Sequence, residues 1–107
     1  MELNEYQEAA AKTAFYEKDD VTYCALGISG EAGEVADHVK KMLRDDDGVL
    51  TEERRQALKK ELGDVLWYAA RMAGKLGYTL DDVAITNIEK IKDRLKRNVQ
   101  RGSGDNR

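Results

Sequence analysis

Two acidic words carry the chemistry this chain could do: Glu31-Ala-Gly-Glu34 and, beyond residues 35–60, Glu61-Leu-Gly-Asp64. Each sets two carboxylates three positions apart in a segment that reads as helix, and residues three apart share a helix face. If the two helices pack, four carboxylates converge on one small volume. Repulsion between two carboxylates about 5.5 Å apart is roughly 3 kcal/mol at an effective dielectric of 20, and several such pairs would substantially destabilise a small domain. A hard divalent cation removes that penalty. An all-oxygen donor set suits Mg²⁺, with Mn²⁺ as a substitute, better than zinc.

The competing reading is a solvated acidic face. Against it, neither word has a Lys or Arg among its own intervening residues, and Glu61 and Asp64 run directly into Val65-Leu66-Trp67-Tyr68-Ala69-Ala70. A di-iron carboxylate site would need Glu-x-x-His on two helices. The single histidine, His38, stands four residues after Glu34, so that chemistry is disfavoured. His38 itself could line the site but reads better as amphipathic surface. Downstream, Asn87, Lys90 and Arg94 fall on one helical face and would set two cations beside the acids; the plain alternative for Lys90 and Arg94 is a salt-bridged surface. Trp67, three residues after Asp64, could stack on a nucleobase, although a core or interface aromatic is the simpler reading. Lys41 could meet phosphate, or merely complement a helix C-terminus.

Four helices must position these groups. The first is expected from Asn4, as N-cap with Gln7 as capping-box partner, to about Tyr16. The second is expected from about Thr22 to Arg44, with Leu26, Ile28, Val35, Val39, Met42 and Leu43 as its apolar side. It carries Gly27, Gly30 and Gly33, which call for either a later helix start near Ser29 or a close approach by a neighbour. Asp45-Asp46-Asp47-Gly48 is a turn. Thr51 caps a third helix from Glu52 to about Leu76, Gly77 ends it, and Thr79 caps a fourth that runs to about Val99. The apolar sides are Leu58, Leu62, Val65, Leu66, Ala69 and Met72 on the third helix, and Val83, Ile85, Ile88, Ile91 and Leu95 on the fourth. No strand signal appears. The expectation is one all-α domain over residues 1–100, followed by a polar, disordered tail over 101–107.

Composition agrees with that reading. A chain of 107 residues holds one domain, and the absence of proline together with 36% charged residues favours long helices with solvated outer faces. A helical domain this small gains from sharing apolar surface with a second copy. The single Cys24 fits a reducing, cytoplasmic setting. No apolar run suggests a membrane span or a signal peptide, and the net charge of −3 argues against a nucleic-acid polymer as partner.

Glu31-x-x-Glu34 followed by Glu61-x-x-Asp64, and then Asn87-Ile-Glu-Lys90 with Arg94, resembles the signature of the MazG-like all-α nucleoside triphosphate pyrophosphohydrolases. Dimeric dUTPases, dCTP pyrophosphatases and phosphoribosyl-ATP pyrophosphohydrolases are related to that superfamily. The resemblance covers the chain from about Tyr6 to Arg94. It implies a four-helix bundle completed by dimerisation, or a tetramer, with active sites at the shared bundle. It also implies Mg²⁺-dependent hydrolysis of a (deoxy)nucleoside triphosphate to the monophosphate and pyrophosphate, in nucleotide-pool housekeeping. By that likeness Glu31, Glu34, Glu61 and Asp64 are catalytic metal ligands, Asn87 helps hold the metal–phosphate assembly, and Lys90 and Arg94 contact phosphates. Two alternatives stand beside it. One is a narrower relative acting on dUTP, dCTP or phosphoribosyl-ATP, and the other is a non-catalytic metal-binding helical module. One departure concerns the base: many relatives carry a glutamate immediately before the first motif glutamate, where this chain has Gly30.

Overall fold

Local capping chemistry fixes where the helices start. In the computed structural model, which describes residues 1–99 and 101–107, α1 spans Leu3–Thr13, α2 Val21–Asp45, α3 Glu52–Lys75 and α4 Leu80–Arg97. The Asp20 carboxylate accepts from the Tyr23 amide at 2.9 Å and opens α2. Thr51 and Thr79 do the same for α3 and α4, accepting from the Arg54 and Asp82 amides, each at 3.1 Å. Gly77, at φ 84°, ends α3. There the Tyr78 amide donates to Ala73 O and the Gly77 amide to Gly74 O, the paired bonds of a Schellman turn.

At α1 the structure departs from the expected cap. The helix starts two residues earlier, with Glu2 as N-cap and Glu5 accepting from its amide. Asn4 and Gln7 are used elsewhere: Asn4 Oδ1 accepts from the Asp81 amide at 3.0 Å and Gln7 Oε1 from the Leu80 amide at 2.8 Å. Two polar side chains of α1 thus satisfy the orphan N–H groups at the start of α4. Gln7 Nε2 also donates to Tyr78 O at 3.1 Å.

α2 and α3 form an antiparallel hairpin that dominates the packing; α1 and α4 lean on α3 and on each other, and α4 does not pack against α2. A later start of α2 near Ser29 is excluded, because the helix begins at Val21. Gly27 is explained by close approach: a Cβ there would lie inside the Tyr68 ring. Gly30 and Gly33 face no atom within 4 Å.

The shared core is small, built from Ala10, Ala70, Ala73 and Leu80 with Tyr6 and Trp67 packed on it. Beside it lies a polar anchor, in which buried Asp19 accepts from Arg71 Nη2 at 2.8 Å and from the Cys24 thiol at 3.1 Å. Burial and Asp19 together push the Cys24 thiol up to about 11. Much of the apolar pattern read from the sequence stays outside this core. Leu26, Leu43, Leu62, Ile85, Ile88 and Leu95 are all exposed. No helix among the described residues is long and apolar enough to cross a membrane.

Candidate metal centre

Packing of α2 on α3 brings three of the four motif acids together. Ligand oxygens of Glu31, Glu61 and Asp64 lie within 4.8 Å of one another. Opposite ligands on an octahedral Mg²⁺ are about 4.2 Å apart, so small side-chain rotations let this set close on a cation. Glu31 and Glu61 are half-buried and Asp64 is exposed. The unmet charge is visible at Glu31, whose carboxyl is held above the usual range by burial and then by the charges of Asp64, Glu61 and Glu34. Glu34 itself is exposed and stands outside the three-residue group. The donor set is all carboxylate oxygen, and it fits a hard divalent cation.

Aromatic residues flank the acids. Burial and the Asp64 charge raise the pKa of Tyr6. The hydrogen bond with Tyr23 and burial push Tyr68 up to about 12, with Glu31 adding to the effect. Tyr16, Tyr23, Tyr68 and Trp67 follow one another ring to ring, at centroid distances of 4.7, 6.0 and 5.0 Å. Trp67 turns its indole N–H to Thr13 Oγ1 at 2.8 Å and packs on the core cluster.

On the hairpin side of the acids stands a group the sequence reading left on the surface. His38 is half-buried, with Nε2 at 3.3 Å from Glu61 Oε1 and Nδ1 at 3.1 Å from Arg54 Nη1. Arg54 Nε donates in turn to Asp46 at 3.0 Å. The signal was present in the spacing: His38 is seven residues after Glu31 and Arg54 seven before Glu61, two turns along the same faces of antiparallel helices. Lys41, by contrast, is held by Asp37 at 2.7 Å within α2.

The α4 cations form a second group. A groove of about 470 Å³ is lined by Leu76, Tyr78, Asp82, Val83, Thr86, Asn87 and Lys90. Lys90 Nζ donates to Asp105 Oδ1 at 3.0 Å, and buried Arg94 donates through Nη2 to Asp105 O at 2.9 Å. Lys90, and then Arg94, hold the Asp105 carboxyl below its ordinary value. Within residues 101–107, the Gly104 and Asp105 carbonyls and the Asp105 carboxylate thus accept from cations of α4. The buried Nε of Arg94 has no hydrogen-bond partner among the described residues. No hydrogen bond or ion pair among the described residues joins Asn87, Lys90 or Arg94 to Glu31, Glu61 or Asp64, and α4 does not reach α2.

Comparison with known proteins now adds to the geometry. The family model of the MazG nucleotide pyrophosphohydrolase domain matches residues 20–99, which hold all three clustered acids and the α4 cations. The chain is also similar to the Gene 37 protein of Mycobacterium phage L5, 46% identical over 114 aligned residues with the whole of both chains covered. No solved structure matches it. The chain belongs to the MazG nucleotide pyrophosphohydrolase family.

Proposed function

We propose that this MazG-family chain hydrolyses (deoxy)nucleoside triphosphates to the monophosphate and pyrophosphate, with Mg²⁺ held by Glu31, Glu61 and Asp64 and completed by Glu34. The observation that carries this reading is the convergence of three carboxylates from α2 and α3 within 4.8 Å. A bound divalent cation would neutralise the triphosphate and make water a competent nucleophile near neutral pH. The chain's own part is to bind and orient the polyphosphate. Asn87, Lys90 and Arg94 take the phosphates, and the unpartnered Arg94 Nε supports an anion there. The substrate displaces Asp105 from Lys90 and Arg94. Trp67 is assigned to packing, since its indole packs on the core cluster of Ala10, Ala70, Ala73 and Leu80.

The proposed active unit is a homodimer in which α4 of one copy serves the acids of the other, a reading supported by the lack of any hydrogen bond or ion pair between the two groups among the described residues. The exposed Ile85, Ile88 and Leu95 on α4, and Leu62 and Leu66 on α3, are the apolar surface a second copy would cover. The test is pyrophosphate release from a panel of ribo- and deoxyribonucleoside triphosphates with and without Mg²⁺. Turnover of dUTP, dCTP or phosphoribosyl-ATP alone would narrow the substrate. Metal binding without any turnover would leave the non-catalytic module.

A further inference from the structure

The cluster of Asp46, Arg54 and His38 lies under the acids, and the motif-based roles give it nothing to do. Its members are about four-fifths buried, with side chains 19%, 17% and 20% exposed. The chain of bonds runs in one direction. Asp46 Oδ2 accepts from Arg54 Nε at 3.0 Å, which locks the guanidinium plane. Arg54 Nη1 then faces His38 Nδ1 at 3.1 Å. A guanidinium has only donors, so Nδ1 must accept, and the ring carries its proton on Nε2. That N–H points at Glu61 Oε1, 3.3 Å away.

The geometry points to His38 as a positioning residue for the metal centre: held in one tautomer by Arg54, it donates to Glu61 and leaves the other carboxylate oxygen for the cation shared with Glu31 and Asp64. Carboxylates that bind metals are commonly oriented by such a donor, and its loss weakens binding about 10–100-fold. The inference rests on the metal reading proposed above. Its elements are antiparallel helix faces at a spacing of seven residues, so donor and acceptor are placed by the α2–α3 hairpin itself.

The test is calorimetric titration of the full-length, EDTA-stripped protein with Mn²⁺ alone, without nucleotide. His38→Ala is expected to raise the dissociation constant about 10-fold or more. His38→Gln, which keeps an N–H donor near the Nε2 position, is expected to recover most of that loss. Arg54→Met, which frees the ring to adopt the other tautomer, should fall between them. Circular dichroism of each variant in EDTA reports whether the helices form, and His38→Gln and Arg54→Met carry the test if His38→Ala does not fold. Binding to folded His38→Ala as tight as to the parent overturns the proposal, as does equal loss in His38→Ala and His38→Gln. In both of those cases the parent still binds and the metal reading survives. A parent that binds no Mn²⁺ overturns both.

Discussion

Glu31 and Asp19 show how opposite environments act on single carboxylates. Burial and three neighbouring acids raise the pKa of Glu31, so the folded state holds its proton more tightly than the unfolded chain does. Stability then falls as pH rises from the ordinary carboxylate value through the raised one. Glu31→Gln is therefore expected to melt higher than the parent in EDTA at neutral pH. The gap should close as pH falls below the ordinary glutamate range, and added Mg²⁺ should raise the parent's melting temperature but not the variant's. At Asp19 burial pushes the carboxyl up, but hydrogen bonds from Cys24 and Arg71 outweigh it, and the net shift is downward. Its contribution is present above the ordinary aspartate value and is lost as pH falls through the lower folded value. Arg71→Ala should lose about 2 kcal/mol in urea unfolding at pH 7, with the difference shrinking in acid. Each acidic word could be read from the sequence because its two acids stand three apart on one helix face, whereas the meeting of Glu31 with Glu61 and Asp64 depends on the packing of α2 on α3. His38 could not be read that way, because its meaning depends on Arg54 and Glu61, which only the packing of α3 delivers.

At the scale of elements, the caps that depend on neighbours three residues away were readable. Thr51, Gly77 and Thr79 stand where expected. Asn4 and Gln7 carried the composition of a cap, but serve a helix whose start lies more than 70 residues away, and no local pattern encodes that choice. The glycines of α2 divide in the same way. Gly27→Ala drives a methyl into the Tyr68 ring and should destabilise by about 1–3 kcal/mol through overpacking. Gly30→Ala meets nothing within 4 Å and should stabilise by up to about 1 kcal/mol through helix propensity. Thermal melts of the two variants check both signs.

At the scale of the whole molecule, the radius of gyration of 16.5 Å exceeds the roughly 13 Å of a close-packed chain of this length. Helical periodicity identified the apolar residues of α3 and α4, but local spacing does not encode which of them pack within the chain, and Leu62, Ile85, Ile88 and Leu95 stay exposed. Analytical ultracentrifugation is expected to give a dimer. Mixing inactive Asp64→Asn with inactive Lys90→Ala should restore part of the activity, since a mixed dimer rebuilds one site from intact acids and intact cations; no recovery from exchanged dimers would place both groups in one chain's site. The most direct measurement is pyrophosphate release from a nucleoside triphosphate panel, comparing parent and Asp64→Asn in Mg²⁺ and in EDTA. Mg²⁺-dependent release by the parent, lost in Asp64→Asn with its helical circular dichroism intact, is the predicted result. No release from any nucleotide at saturating Mg²⁺, or undiminished release by Asp64→Asn, would contradict it.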